Sequence, residues 1–381
     1  MRGSVIKRGG SWSVVLDLGR DAAGKRIRHW HSGFRTRRDA ERARVDLLSR
    51  VDRGAYVTPS QETVATFLQD WLGSVGSTVR PTTLAYYRMI VDCHLVPRIG
   101  GVALQALTAG QINALYGALL REGRRDGRGG LSRKSVRNVH MVLRRALADA
   151  VRWDRLVRNP ADLADPPPAR RGDAPTMKTW TAAELRHFLA QVEGDRLYGA
   201  WVVAATTGMR RGEVLALRWR DVDLTLGRLS ISQQVTTLGN RPVVSSPKTA
   251  KSRRLVALDP ATVEALRGHR IAQAEERLLM GPGYRDEDLV FAWPDGRPIH
   301  PDLFSQWFER HVQAAGLPRI RLHDLRHTHA TLALAAGIHP KVVSERLGHS
   351  TISITLGTYS HVSPGLQEEA AARVADLVFG Q

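Results

Sequence analysis

Cationic side chains that could bind and protonate an anionic group occur in two stretches of the second half of the chain. In TTGMRRGE, Gly208 permits a tight turn and Arg210 follows at the predicted start of a helix, where backbone N–H groups favour an anion. Glu213, three residues later, lies where it could orient that arginine. In SPKTAKSRR, Lys248 is predicted at the tip of a strand pair. From there it could reach a site as a proton donor, although most hairpin lysines are only solvated.

A histidine and an arginine are predicted on one helix face in the stretch LHDLRHTHAT. His323 and Arg326 are three residues apart, so a helix would project both side chains to the same side. A metal site formed by His323, His327 and His329 is the alternative. No Cys or carboxylate completes a recognisable zinc spacing, and the intervening arginine would repel a cation. We therefore expect no metal and no other cofactor.

His349 and Tyr359 lie ten residues apart in LGHSTISITLGTYSH, across a predicted loop and a short helix. A single tyrosine usually serves packing or lies on the surface. The preceding segment TLALAAGIHPKVVSERLGHS also has the pattern of a helix-turn-helix. That alternative gives no task to the pair of His323 and Arg326, or to Tyr359.

The charge balance indicates a polyanionic partner. The 381 residues include 56 Lys and Arg against 37 Asp and Glu, a net charge of +19. The basic residues are mostly arginines, whose planar fork suits phosphate oxygens, although DNA, RNA or an anionic membrane would each satisfy the charge. The first residues, MRGSVIKRGG, contain no secretory signal, and no apolar stretch is long enough to span a bilayer. We therefore expect a cytoplasmic protein with no membrane partner.

Hydrophobic periodicity and turn residues predict three zones that would position these side chains. Residues 1–58 combine short strands with a helix and carry a net charge of +8, which suits a groove reader or an ordinary basic cap domain. Residues 62–162 have the pattern of amphipathic helices throughout. A proline-rich stretch begins at Asn159, and we interpret residues 163–177 as a linker. Residues 178–381 mix helices with one strand pair, turning at residues 238–240.

One predicted helix of the second zone carries positive charges around an apolar stripe. A solvated face would explain such charges in most proteins. Here nearly all of them are positive, which favours a surface that faces phosphates. The residues predicted to bind DNA on this helix are Arg133, Lys134, Arg137, Arg144 and Arg145.

As a set, TGMRRGE, SPKTAKSRR, LHDLRHTHAT and LGHSTISITLGTYSH resemble the motifs of the tyrosine recombinases, specifically the phage-type integrases, in the family's order and spacing. The resemblance extends over the whole chain and implies a multidomain α+β fold. Residues 1–58 resemble the family's arm-type DNA-binding domain, a small three-stranded sheet plus a helix. Residues 62–162 resemble its all-helical core-binding domain. Residues 178–381 resemble its catalytic domain, which is mainly helical with a small antiparallel sheet.

The resemblance implies roles for the cationic residues. Arg210 and Arg326 match the two arginines that clamp the scissile phosphate, where bidentate hydrogen bonds neutralise charge on the nonbridging oxygens. Lys248 matches the lysine that protonates the leaving 5′ oxygen, and Lys251 is close enough in sequence to compete with it.

The same resemblance assigns the histidines and the tyrosine. His323 and His349 match the histidines that flank the phosphate, and Tyr359 matches the nucleophile. A phenol with a pKa of about 10 must lose its proton to attack, and His323, with an ordinary pKa of roughly 6.5, is the better candidate to take it. Gly357 replaces an Asp or Asn that the family often has two positions before the tyrosine.

The implied activity is site-specific DNA recombination through a 3′-phosphotyrosyl intermediate, which integrates and excises a phage or mobile element. The phosphotyrosine keeps the energy of the broken bond, so neither ATP nor metal is required. The implied partners are double-stranded DNA attachment sites and three further copies of the chain in a homotetramer. The resemblance also allows a directionality factor, a host DNA-bending protein and nucleoid association. The amphipathic tail after Tyr359 could pack on its own domain or on a neighbouring protomer.

Two other functions are compatible with part of this pattern. A type IB topoisomerase would use the same residues to relax DNA, but the N-terminal strands and the phage-type motifs argue against it. A DNA-binding regulator without catalysis would make Arg210, Arg326 and Tyr359 dispensable beyond affinity, and the complete set of active-site residues argues against that.

Overall fold

The chain folds as two units, Met1–Ala174 and Pro175–Gln381, in a computed structural model. The structure describes residues 2–20, 24–54, 56–169, 177–246, 253–349, 351–359 and 366–380.

The first unit begins with the predicted sheet and helix. Three antiparallel strands, β1 (Arg2–Arg8), β2 (Ser11–Arg20) and β3 (Arg26–Phe34), pair in the order β1-β2-β3. Helix α1 (Arg37–Asp52) follows, and its first turn is capped by the Thr36 side chain.

Strand β3 alternates between a packed face and an open one, as the period of two requires, whereas residues 13–16 of the central strand β2 are buried on both faces. Val14 and Leu16 are buried on the face that carries α1. The opposite face presents exposed Ile6 and Trp30, and the Arg8 guanidinium lies 5.8 Å from the Trp30 ring centroid. One face is thus committed to the core, and the other leaves an aromatic ring and cations accessible.

The rest of the first unit is helical, as the sequence predicts. Thr63, Thr108 and Ser132 cap three of its helices with their side chains. A π-helical turn at Val91–Leu95 joins the second helix of this layer to the third. The helices are α2 (Val64–Val75), α3 (Pro81–Ile90), α4 (Val96–Ile99), α5 (Ala109–Glu122) and α6 (Arg133–Arg152).

The proline-rich stretch is more ordered at its start than the sequence suggests. Residues Pro160–Leu163 form a 3-10 turn, although irregular chain was expected from Asn159 onwards. The Asn159 side chain accepts from Ala161 N and donates to Arg144 O, both at 2.9 Å, and Ala161 is buried. The amide cap and the buried alanine explain the difference, because proline is tolerated in a first helical turn. Residues 170–176 of the predicted linker lie outside the described residues.

The second unit is mainly helical. Its first helix opens with a capping box formed by Thr181 and Glu184. Rings of Phe188, Trp201 and Phe304 pack in its core, where Trp201 and Phe304 stack at 4.3 Å. The helices are α7 (Ala182–Gln191), α8 (Tyr198–Thr207), α9 (Arg211–Val214), α10 (Pro260–Met280), α11 (Pro301–Ala314), α12 (Leu322–Ala335), α13 (Pro340–Leu347), α14 (Ile352–Tyr359) and α15 (Leu366–Phe379).

The predicted single strand pair is in fact divided between two small antiparallel sheets. Strands β4 (Val222–Asp223), β5 (Arg228–Ile231) and β8 (Arg254–Ala257) form one sheet, and β6 (Gln234–Leu238) pairs with β7 (Arg241–Ser245) in the other. The turn lies where it was predicted, at Gly239 and Asn240, which both have positive φ. The expected long strand is interrupted between β5 and β6, so β5 pairs with β8 instead of continuing into the hairpin.

No helix in the described part of the chain is both long and apolar enough to cross a membrane.

Candidate active site

Arg210 lies at a tight turn between α8 and α9. Gly208 ends α8 in the left-handed region with a φ of 63°, and a Cβ there would lie 2.5 Å from Leu347 Cδ2. The sequence predicted Arg210 at a helix start, and α9 is a helix of only four residues. Its dipole is therefore too short to account for anion binding, and the position of Arg210 depends on side-chain contacts.

Glu213 provides those contacts, as its spacing suggested. Its carboxylate accepts from Arg210 Nη1 at 2.7 Å and from Arg210 N at 3.0 Å. The same carboxylate accepts from Arg254 Nη2 at 2.9 Å, and Glu213 is only 2% exposed. Burial by itself would raise the pKa of Glu213, but the hydrogen bonds and charges of Arg254 and Arg210 outweigh it and lower that pKa. Glu213 is thus an anion shared by two arginines.

Arg326 is held by backbone carbonyls from two other segments. It is 3% exposed on α12, and its Nη1 and Nη2 donate at 2.7 Å to Gly208 O and Leu347 O. Arg210 Nη2 similarly donates to Gly348 O at 3.1 Å. The two arginines therefore lie against the same two loops, which follow α8 and α13.

The histidines lie in the field of these arginines. Burial, followed by the charges of His327 and Arg326, lowers the pKa of His323 to about 4. Burial, followed by the charges of Arg326 and Arg210, lowers the pKa of His349 to about 4. Both imidazoles are neutral at pH 7, so each has one donor and one acceptor nitrogen. The structure thus brings together Arg210, His323, Arg326 and His349.

The side chains of two predicted catalytic residues, Lys248 and Tyr359, lie outside the part of the chain that the structure describes. Lys248 lies outside the described residues, as does Lys251. Tyr359 is the last residue of α14, which also contains Gly357, and the Tyr359 side chain lies outside the described part. Their assignments stay predictions.

The basic helix of the first unit is α6, and protein groups hold three of its five predicted DNA-binding residues. Arg144 pairs with Asp162 at 2.6 Å, Arg145 donates to the Tyr87 hydroxyl at 3.0 Å, and Arg137 donates to a backbone carbonyl. These contacts hold the guanidinium groups in place. The charge of Arg144 is balanced by a carboxylate, whereas that of Arg145 is not balanced by its hydroxyl partner. The remaining two predicted residues are exposed Lys134 and half-buried Arg133. Their contact with DNA stays a prediction.

Sequence reasoning missed two residues of the site. Arg254, on β8, binds Glu213, and its Nε donates to Arg346 O at 2.6 Å. Thr355, on α14, has its hydroxyl 2.8 Å from His349 Nδ1. No local spacing links Arg254 to Glu213, whereas the position of Thr355 one helical turn before Tyr359 was a usable signal. Among the described residues, no group of three or more His, Cys, Asp or Glu could hold a metal ion.

The suppressed imidazole pKa values predict a loss of stability in mild acid. The pKa of His329, like those of His323 and His349, is lowered from 6.5 to about 4, chiefly by burial. The unfolded chain therefore gains protons first, so full stability is present above about pH 6.5 and declines towards pH 4. His329→Gln should reduce that decline by about 1–3 kcal/mol.

Denaturant unfolding between pH 7 and pH 4.5 measures this effect. Gln can still accept from Arg346, which donates to His329 Nε2 at 3.3 Å. The matched control is exposed His187→Gln, which should keep the parental pH dependence. An unchanged pH dependence in His329→Gln would contradict the prediction.

Comparisons with known proteins match all three zones. The phage integrase family matches residues 178–365, an arm DNA-binding domain matches residues 4–50, and the N-terminal SAM-like domain of phage integrases matches residues 63–120. The chain is 28% identical to a tyrosine recombinase XerC-like protein of Caldanaerobacter subterraneus subsp. tengcongensis over 96% of each chain. It is also 28% identical to the ICEBs1 integrase of Bacillus subtilis, over 97% of this chain and 98% of that one.

Solved structures share the fold at lower identity. The Tn1549 transposon integrase in complex with a circular intermediate DNA matches with a TM-score of 0.67 and 22% identity, over 82% of this chain and all of that one. A lambda integrase tetramer bound to a Holliday junction matches with a TM-score of 0.57 and 18% identity, over 93% of each chain. Because family models match residues 4–50, 63–120 and 178–365 and two relatives align over nearly their full length, the chain belongs to the phage integrase family of tyrosine recombinases and is a site-specific DNA recombinase.

Proposed function

We propose that this recombinase integrates and excises a phage or other mobile element through a covalent 3′-phosphotyrosyl intermediate, without metal or ATP. In the forward step the Tyr359 oxygen bonds to phosphorus and the bond to the 5′ oxygen breaks. The 5′ oxygen takes a proton, for which Lys248 is the proposed donor, and the phenol proton passes to His323. The reverse attack by a 5′ hydroxyl restores the phosphodiester and frees the tyrosine.

The observation that supports this proposal is the convergence of Arg210 and Arg326 beside two neutral imidazoles. Guanidinium groups can stabilise charge on nonbridging phosphate oxygens, the task that a metal performs in other enzymes. A neutral His323 has a nitrogen that can accept the phenol proton, and an anionic phosphate bound beside it would raise its pKa from the low value of the unliganded site, which makes it a stronger base. A regulator that only binds DNA would not need buried imidazoles held neutral next to arginines.

The domains divide DNA recognition between them in this proposal. Residues 1–58 would bind arm-type sites, residues 62–162 the core site, and residues 178–381 would cut it, with residues 163–177 as the linker. The open face of β1–β3 suits the first task because it carries Trp30, Arg28 and Arg8. Cations beside an exposed aromatic ring can contact both phosphates and base edges.

The proposed assembly is a homotetramer on double-stranded attachment sites. A tetramer on a Holliday junction is known for lambda integrase, which shares the fold. Helix α15 is compatible with contacts between protomers, since its side chains Val374, Leu377, Val378 and Phe379 are exposed. A directionality factor and a host DNA-bending protein are further proposed partners. The complex would work in the cytoplasm on the nucleoid.

Tyr359→Phe should abolish covalent attachment to DNA, because phenylalanine has no oxygen to attack phosphorus. The assay is formation of an SDS-resistant adduct on nicked suicide DNA that carries the element's attachment core. Tyr198→Phe on α8 is the matched control and should form the adduct. An adduct with Tyr359→Phe would refute the nucleophile, and a parent that forms none on cognate DNA would refute the enzyme function. Relaxation of unrelated supercoiled plasmid would instead favour a topoisomerase.

Arg326→Lys should lower the cleavage rate by about 100-fold or more while DNA affinity stays near the parental value. One ammonium group cannot replace two guanidinium bonds to Gly208 O and Leu347 O and still bind a phosphate. The lost carbonyl bond should also cost about 1 kcal/mol of stability, so thermal unfolding must accompany the rate measurement. Near-parental cleavage by the folded variant would contradict the phosphate clamp.

Arg28→Ala should weaken binding to arm-type DNA by about 1–3 kcal/mol and leave cleavage of a core-only substrate intact. Arg28 lies two residues before Trp30 on β3, so both side chains are on the open face of the N-terminal sheet. Arg42→Ala removes the same charge from exposed α1 and is the matched control. Gel-shift titration at fixed salt with DNA from the element's ends measures both. If both variants lost the same affinity for arm-type DNA, the proposal that the sheet binds in a DNA groove would be contradicted.

A further inference from the structure

Among the side chains that the structure describes on α14, the polar Thr355 is buried and the apolar ones are exposed. Thr355 is 0% exposed, whereas Ile352 and Leu356 are 40% and 47% exposed. A buried hydroxyl is costly unless it forms a hydrogen bond, and apolar side chains at a buried position would normally be preferred. Thr355 therefore occupies its buried position for a polar contact.

That contact is with His349. Thr355 Oγ1 lies 2.8 Å from His349 Nδ1, a normal hydrogen-bond distance. The backbone of His349 is fixed separately, because its N–H donates to Ser344 O at 3.0 Å. The loop thus sets the place of His349, and Thr355 sets the orientation of its ring.

The direction of this hydrogen bond decides what the other ring nitrogen can do. A neutral imidazole has one N–H, and the partner of one nitrogen selects which nitrogen carries it. Phosphate oxygens beside Arg210 and Arg326 are acceptors, so a useful contact requires the proton on Nε2. Nδ1 must then accept, and the Thr355 hydroxyl must donate.

We propose that Thr355 is a positioning residue that donates to His349 Nδ1 and so presents Nε2–H to the scissile phosphate. This inference rests on the proposed function of the site. Thr355 and Tyr359 lie four residues apart, one turn of the same helix. Orientation of His349 therefore depends on the docking of the helix that carries the nucleophile. A protomer whose α14 is displaced loses its nucleophile and its oriented histidine together.

Two substitutions separate the hydroxyl from the shape of the side chain. Thr355→Val keeps the branched shape and removes the donor, whereas Thr355→Ser keeps the donor. Thr355→Val should slow single-turnover cleavage of suicide DNA about 10- to 100-fold with unchanged DNA affinity, since orienting partners typically have effects of that size. Thr355→Ser should cleave near the parental rate. Exposed Ser353→Ala removes a hydroxyl from the same helix and is the matched control.

A double-mutant cycle and a spectroscopic measurement test the route through His349. In a His349→Asn background, Thr355→Val should cause little further loss. Nitrogen-15 NMR of histidine-labelled full-length protein, assigned with His349→Asn, should show the Nε2–H tautomer in the parent and a changed tautomer balance in Thr355→Val. Thermal unfolding identifies a variant that fails to fold. If Thr355→Val fails to fold, the cleavage rate of Thr355→Ser and the His349 tautomer of the parent still test the role of Thr355.

The outcomes distinguish this inference from the proposed function. The role of Thr355 would be overturned if folded Thr355→Val cleaved at the parental rate or if Thr355→Ser cleaved slowly. It would also be overturned if Thr355→Val caused the same loss of cleavage rate in the His349→Asn background, or if the parent had the Nδ1–H tautomer. A parent that forms no covalent adduct on cognate DNA would overturn the proposed function instead. The tautomer would still report on the hydrogen bond in that case.

Discussion

The active site depends on one buried carboxylate, Glu213, between two arginines. Arg210 and Arg254 carry the same charge and would repel each other, but the Glu213 carboxylate accepts hydrogen bonds from both of them. An unpaired buried charge is very costly, so removal of any one of the three groups would disturb the other two. Because Arg254 belongs to β8 and Arg210 to the turn after α8, this ion network also joins the small sheet to the helical part of the unit.

Backbone carbonyls supply the remaining hydrogen bonds that orient the guanidinium groups of the site. Arg326 binds the carbonyls of Gly208 and Leu347, and Arg210 binds that of Gly348. Carbonyl dipoles orient guanidinium groups without cancelling their charge, so the site keeps a positive potential that only an anion can balance. The same potential, added to burial, keeps His323 and His349 neutral. The positive potential of the site and the neutrality of its two imidazoles therefore have a common electrostatic cause.

Local features of the fold could be predicted from the sequence, and long-range partners could not. The turn predicted at residues 238–240 depends on neighbouring residues alone, and the structure confirms it. The side-chain caps at Thr108, Ser132 and Thr181 are equally local, since each bonds a backbone N–H three residues later. The contact between Arg210 and Glu213 is of this kind, since the two are three residues apart. Arg254 lies 41 residues from Glu213, and paired residues of β5 and β8 are separated by more than 20 residues, from Ile231 with Arg254 to Arg228 with Ala257. Only the fold brings such residues together.

Helix α14 shows why a pattern of apolar residues can mislead at a functional site. Its apolar Ile352 and Leu356 would suggest a packed face, yet both are exposed and the polar Thr355 is buried. Local rules fail where function requires another arrangement. The buried hydrogen bond between Thr355 and His349 is one of the contacts that hold α14 in place. Under the proposed mechanism, this contact couples the position of the helix that ends at Tyr359 to the orientation of the His349 ring.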